Sequence, residues 1–187
     1  MSSCSFEKRN QIVLVNTNDE EIWVGEKMEV HQKGELHRAI SALIFNHKGE
    51  ILLQQRAITK YHCWWLRSNA VCTHPFPWET PLHSAERRLY EELGFTTSLQ
   101  EIFHFIYEVS LDHWLIEHEY DHVFIGFYGW KISINKDEVD SFRRISIKEL
   151  KEEIKEKSEF FTPRFKIIFQ ELIPHLKDLK FYLEEEF

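Results

Sequence analysis

Two stretches of this sequence crowd carboxylates with guanidinium and imidazole groups. In Thr73–Phe95, THPFPWETPLHSAERRLYEELGF, Glu79 precedes an apolar pattern that carries Arg87, Arg88, Glu91 and Glu92. On a helix, a spacing of four sets Arg87 beside Glu91 and Arg88 beside Glu92, so carboxylates gather against arginines near the helix end. An isolated ERRLYEE run with that spacing is ordinarily a solvated ion-pair face. The second stretch is Glu117-His-Glu119. Eleven histidines and three cysteines (Cys4, Cys63, Cys72) supply further ligands and proton carriers. Taken singly, a histidine is usually a surface or hydrogen-bonded residue, and a free cysteine a small buried apolar one.

Elements that could position these groups follow from periodicity. Gln11–Val15 and Glu21–Val24, separated by Asn-Thr-Asn-Asp, predict a strand pair. Ala39–Phe45 and Glu50–Gln55 predict a hairpin around Asn46-His47-Lys48-Gly49, whose glycine permits the positive φ of a tight turn. Leu82, Ala85, Leu89 and Leu93 recur at helical spacing, with Thr80 as N-cap, Pro81 in the first turn and Gly94 as the stop. Glu101–Ser110 and Asp121–Ile132 are rich in aromatic and β-branched residues and predict strands, with Glu117 and Glu119 on the loop between them. Ser146 and Glu149 form a capping box for a charged helix reaching about Lys157. Thr162-Pro163 opens a last amphipathic helix with Phe165, Ile168, Phe169 and Leu172 on one side and Pro174 as its breaker. Strands interleaved with a few helices indicate an α+β fold, a mixed sheet covered by helices.

Composition narrows the function. With 187 residues, 43% hydrophobic and 14% aromatic, the chain can bury a core without disulfides, and one domain spanning 1–187 is expected. A formal charge of -8 argues against a general nucleic-acid or anionic-membrane surface, so any phosphate must be met by a local site. An odd number of cysteines without C-x-x-C spacing fits a reducing compartment. The opening MSSCSFEKRNQ lacks the apolar run of a signal peptide, and no stretch approaches the ~20 apolar residues of a membrane span. The expectation is a cytoplasmic monomer.

Thr73–Phe95 resembles the Nudix box, G-x5-E-x7-R-E-U-x-E-E-x-G-U, in which U is a bulky apolar residue. Glu79, Arg87, Leu89, Glu91, Glu92, Gly94 and Phe95 fall in register, whereas Thr73 stands at the opening glycine and Arg88 at the glutamate after the arginine. Outside the box, His31 and His37, Arg56-Ala-Ile-Thr-Lys60, Asn69-Ala-Val-Cys72-Thr-His74-Pro and Glu117-His-Glu119 resemble one branch of that superfamily, the type I isopentenyl-diphosphate isomerases. The resemblance implies a Nudix-like α/β/α sandwich with a mixed central sheet. It also implies migration of a double bond from isopentenyl to dimethylallyl diphosphate by proton addition and removal through a tertiary carbocation.

The same resemblance assigns roles. Cys72 and Glu119 are the proton-transfer groups, with Tyr107 as a relay at Glu119; Lys27, Arg56, Lys60 and Arg88 grip the diphosphate. His31, His37, His74, Glu117 and Glu119 hold a divalent metal (Zn2+, Mn2+ or Mg2+), and Glu92 binds the Mg2+ that travels with the diphosphate. His118 and His122, beside the E-x-E, are alternative ligands. Arg88, replacing a glutamate of the hydrolytic metal set, suits gripping a diphosphate rather than cleaving it.

Two departures bear on substrate. Cys63-Trp64-Trp65-Leu66-Arg67 alters a segment of the pocket wall, and Thr162-Pro163-Arg164 places a cation where the family carries a tryptophan whose π face stabilises the carbocation. Three outcomes are open: Trp64, Trp65 or Trp114 substitutes, Arg164 turns outward, or the substrate differs. The alternative functions are a Nudix pyrophosphatase acting on a nucleoside or prenyl diphosphate through Glu91 and Glu92 with Mg2+, and a diphosphate-binding homologue without turnover.

Overall fold

In the computed structural model, which describes residues 10–59, 63, 65–111 and 114–177, the organising element is the strand β3, His37–Phe45. All nine of its residues are buried, because it is covered on both faces. Its alternation sends Leu43 and Phe45 into one apolar cluster and Ile40, Ala42 and Ile44 into another. Three strands come before or after it in close sequence: β1 (Gln11–Val15), β2 (Glu21–Glu26) and β4 (Glu50–Arg56). The turn Asn46–Gly49 closes as expected, with Gly49 at φ 73° and its N–H donating to the Asn46 carbonyl at 2.9 Å.

Beyond that turn the sheet divides. The short strand β6 (Val71–Thr73) pairs antiparallel with β3, and the long strand β8 (Ile116–Phe127) runs parallel to it. β7 (Leu99–Ser110) then pairs antiparallel with β8. β4 departs from β3 to pair with β5 (Arg67–Ser68) and β9 (Val139–Ser146). The sheet is therefore mixed, as expected for α+β.

Helices close both faces. α2 (Pro81–Leu93) starts on the Thr80 cap and ends at Gly94, φ 71°, burying Ala85, Leu89 and Leu93 against the cluster containing Ile40, Ile44 and Leu52. α3 (Ile147–Glu156) begins with the capping box between Ser146 and Glu149. α4 (Pro163–Leu172) starts on Thr162 and buries Phe165, Ile168, Phe169 and Leu172 on the opposite face. Each such fully buried side chain contributes roughly 1.5–3 kcal/mol. Pro174 lies in a short 3-10 turn after α4, where it breaks the helix as expected.

Three expectations need correction. Glu117 and Glu119 lie within β8 rather than on a loop, because the charged segment EHEY is paired along its length to β7 and, from Glu119 on, to β3. The strand predicted to reach Ile132 ends at Phe127, where the chain turns away through Gly129 and Trp130. The seven-residue helix α1 (Lys27–Lys33) is absent from the sequence expectation. It is only two turns long and is capped by a glutamate, Glu26, whose carboxylate accepts from the Glu29 N–H at 3.0 Å, so the usual Ser/Thr/Asp/Asn signal is missing.

Candidate functional site

Strand register assembles the site. His37 opens β3 and lies directly opposite Glu119 of β8, and Glu119 in turn lies opposite Tyr107 of β7. Period two puts Glu117, Glu119 and Asp121 on one face of β8 and sends His118 and His122 to the other. There His118 bonds the Gly34 carbonyl at 3.0 Å, and His122 sits between Glu101 (2.8 Å) and Asp19 (3.0 Å). Cys72 lies in β6, and His74 follows directly after that strand. Buried His31 comes from the last turn of α1, and Gly34, φ 65°, turns the chain from that helix toward β3.

These placements bring together His31, His37, His74 and Glu119, whose ligand atoms all lie within 4.8 Å of one another. The chemistry of the set fits a divalent cation. His31 Nδ1 faces the Lys27 carbonyl at 2.7 Å and His37 Nδ1 faces that of Glu35 at 2.8 Å. A carbonyl only accepts, so each Nδ1 carries the hydrogen and each Nε2 keeps its lone pair. Both Nε2 atoms are buried with no hydrogen-bond partner among the described residues. Burial, then the neighbouring His37, lowers the His31 pKa to about 4, and burial holds that of His74 well below its usual value. Neutral imidazoles with inward lone pairs are the ligand form.

Arg164 points inward. The second residue of α4, it is buried, and its Nη2 donates to Glu117 Oε1 at 2.8 Å and to Glu119 Oε1 at 2.5 Å. The Tyr107 hydroxyl donates to Glu119 Oε2 at 2.6 Å and approaches Glu117 Oε2 at 3.4 Å. Burial alone would push Glu119 toward its neutral form, but the Arg164 charge prevails, helped by the His74 imidazole 3.1 Å away, and holds its carboxyl well below the usual range. Burial raises the Tyr107 pKa well above normal, so Tyr107 is a neutral donor. The outward option for Arg164 is thereby overturned. Trp114, one of the proposed substitutes, is 92% exposed, and Trp64 lies outside the described residues.

One cavity is lined by Cys72, His74, Glu117 and Arg164 together with Lys27, Arg56 and Arg88. Cys72 faces Ser41, its cross-strand partner, at 3.4 Å, and its thiol donates to Asn69 Oδ1 at 3.0 Å. Burial raises the Cys72 pKa, so the group is a thiol at neutral pH. Burial, reinforced by the charge of Arg164 and more weakly by Arg88 and Arg56, lowers the Lys27 pKa to about 8. Arg88 holds Glu91 at 2.9 Å, Glu138 at 3.3 Å and also Glu92. Glu92, buried, accepts from Gln54 at 3.0 Å and stands outside the four-residue ligand cluster. Glu79 is clamped by Arg87 through both oxygens, at 2.6 and 2.9 Å. Lys60 lies outside the described residues.

Two residues of the site escaped sequence reasoning. Asp121 accepts from Ser41 at 2.8 Å, and burial, then Glu119, raises its pKa to about 8. The signal was the acid at every second position of Glu-His-Glu-Tyr-Asp, visible once that segment is read as a strand. Ser41 carried no signal beyond its place in a strand.

The Nudix domain profile matches residues 35–165. The chain is similar to isopentenyl-diphosphate Delta-isomerase of Pectobacterium atrosepticum, 46% identical over 85% of this chain and 89% of that one. It is 43% identical to isopentenyl-diphosphate Delta-isomerase 2 of Photorhabdus laumondii over 86% and 91%, and 35% identical to the Streptomyces coelicolor enzyme over 89% and 85%. Among solved structures, the Deinococcus radiodurans protein DR0079 superposes with a TM-score of 0.65 at 15% identity, covering 79% of this chain and 90% of its own. A MutT protein of Methanosarcina mazei gives 0.62 at 19%, covering 76% and 96%. These two likenesses establish the fold. Among the described residues no helix is long and apolar enough to cross a membrane.

Proposed function

The chain belongs to the Nudix family and, within it, to the isopentenyl-diphosphate Delta-isomerases, and from that premise we propose that it interconverts isopentenyl and dimethylallyl diphosphate. The observation that carries the reading is one cavity lined by a neutral thiol, Cys72, and by the Glu117 carboxylate, with Lys27, Arg56 and Arg88 also in its wall. The reaction adds a proton to an unactivated alkene and removes another, so it needs a proton carrier on each side of a five-carbon unit and protection from water. Cys72 serves one side and Glu119 the other. Tyr107, donating to Glu119 Oε2, moves the proton at that carboxylate and holds its orientation. Lys27, Arg56 and Arg88 take the diphosphate, keeping it from departing as the cation develops.

His31, His37, His74 and Glu119 would hold a divalent ion, which when bound tunes the acidity of Glu119. Glu92 would hold the Mg2+ that travels with the diphosphate. Hydrolysis is the weaker reading: Arg88 replaces a box carboxylate and binds both Glu91 and Glu92. Incubation with isopentenyl diphosphate and Mg2+, followed by NMR, tests the proposal. Dimethylallyl diphosphate without free phosphate is expected; phosphate release would favour the pyrophosphatase, and an unchanged substrate would overturn the isomerase.

A pH effect follows from Lys27. With its pKa lowered to about 8, it is largely neutral at pH 9 and charged at pH 7. A diphosphate beside it restores the charge, so binding takes up a proton between about pH 8 and the ordinary lysine value near 10.4. Calorimetry of isopentenyl diphosphate binding to Cys72→Ala protein at pH 9, in two buffers of different ionisation enthalpy, is expected to show uptake approaching about one proton, falling toward zero at pH 7. Equal uptake at both pH values, or undiminished uptake in Lys27→Met, would contradict the assignment.

A further inference from the structure

Asn69, between β5 and β6, is fully buried, and every hydrogen-bonding site of its amide is used inside the protein. Its Nδ2 donates to the Ala42 carbonyl at 3.1 Å and to that of Val71 at 2.8 Å. A carbonyl can only accept, so the amide is fixed with its oxygen turned the other way. That oxygen accepts two hydrogens, from the Ser68 hydroxyl at 3.1 Å and from the Cys72 thiol at 3.0 Å. Behind Ser68 the bonds run in one direction: the Phe165 N–H donates to Thr162 Oγ1 at 3.2 Å, and Thr162 Oγ1 stands 3.3 Å from Ser68 Oγ. Since the Ser68 hydrogen goes to Asn69, the Thr162 hydroxyl is the donor to Ser68. On the other side of the sulfur, Ser41 gives its hydrogen to Asp121 at 2.8 Å and turns a lone pair toward Sγ at 3.4 Å.

We infer that Asn69 is a positioning residue for the isomerase reaction: its side-chain carbonyl sets the rotamer of Cys72 and the direction of the S–H bond, so that the sulfur enters turnover at one fixed place in the cavity wall. The inference deepens the isomerase reading and rests on it. Both polar neighbours of the sulfur, Asn69 Oδ1 and Ser41 Oγ, present acceptors, so the thiol's own hydrogen makes the bond. A cysteine side chain has three staggered rotamers, and a bond to an immobile acceptor selects one of them. A proton crosses between sulfur and carbon only when the two atoms are in contact and in line, and a misplacement of about 1 Å costs up to about 10²-fold in rate. The two Nδ2 bonds suffice to hold the connection between the strands. The Oδ1 bond to sulfur is one that a purely structural asparagine does not need.

The infrared S–H stretching band reports this bond independently of turnover, and the difference between the unaltered chain and Cys72→Ala isolates it from the bands of Cys4 and Cys63. The band is expected at lowered frequency in the unaltered chain. It should rise to that of an unbonded thiol in Asn69→Ala and stay low in Ser68→Ala, which removes only the competing donor to Asn69 Oδ1. Asn69→Ala should also lower kcat on isopentenyl diphosphate by about 10–100-fold while calorimetric affinity for the diphosphate stays within about twofold, because orientation is lost and binding is not. An unbonded thiol in the unaltered chain, a low band that persists in Asn69→Ala, or an undiminished kcat in that variant would overturn the inference. So would a parallel loss of kcat and affinity, the mark of a structural residue. The bands of the unaltered chain and of Ser68→Ala decide the matter even if Asn69→Ala does not fold. Conversion of isopentenyl diphosphate by a chain with an unbonded thiol would sink this inference and spare the isomerase reading, and a bonded thiol without conversion would do the reverse.

Discussion

Cys72→Ala is expected to lower kcat on isopentenyl diphosphate by about 10²–10⁴-fold, the usual loss on removing a positioned proton carrier. Binding and folding should survive. The diphosphate is assigned to Lys27, Arg56 and Arg88, none of which depends on the sulfur. The thiol's partners keep other bonds: Asn69 Oδ1 still accepts from Ser68 at 3.1 Å, and Ser41 still donates to Asp121 at 2.8 Å. No buried polar group is orphaned, which holds the stability cost to ~1 kcal/mol. Single-turnover kinetics with calorimetric affinity for the diphosphate separate the two effects. A variant with a tenth or more of the original kcat would remove Cys72 from the reaction, and one that binds no diphosphate would make it a structural residue.

How the site was legible is itself a matter of period. The box helix could be read because Leu82, Ala85, Leu89 and Leu93 repeat at helical spacing between a Thr-Pro start and a glycine stop, and α2 forms with those limits. The groups around the cavity were found through motifs, since nothing in local spacing says that His31, on a two-turn helix, meets His74, forty-three positions later. That meeting is set by the parallel register of β3 with β8 and the antiparallel register of β3 with β6, which are long-range pairings. Glu117 and Glu119 were expected on a loop because charged residues are depleted in strands. They tolerate a buried strand position here because Arg164, Tyr107 and His74 satisfy them. Arg164 was identified as the departure, but its direction could not be read from sequence: its role depends on where α4 begins relative to β8.

That role leads to the second large effect. In the metal-free protein Arg164→Met should cost about 3–5 kcal/mol, the price of leaving buried carboxylates without their partner. For a chain of this size that is a fall of roughly 6–20 °C in Tm. Arg143→Met makes the contrast: Arg143 also donates to a carboxylate, Glu153 at 2.6 Å, but its side chain is 39% exposed, so at most about 1 kcal/mol is expected. The pH dependence carries the sign. In the original chain the Glu119 pKa lies well below its unfolded value, so its contribution is full above about pH 4.3 and is lost as pH falls through the folded value. Without Arg164 the carboxylates resist ionisation, and the deficit of the variant should shrink as acid neutralises them. Zn2+ should restore part of the lost stability at neutral pH by supplying Glu119 with a new counter-charge. Calorimetric unfolding of both variants from pH 4.5 to 7.5, with and without Zn2+, provides the test. Equal losses in Arg164→Met and Arg143→Met would show that Arg164 does not compensate the buried charge of Glu117 and Glu119.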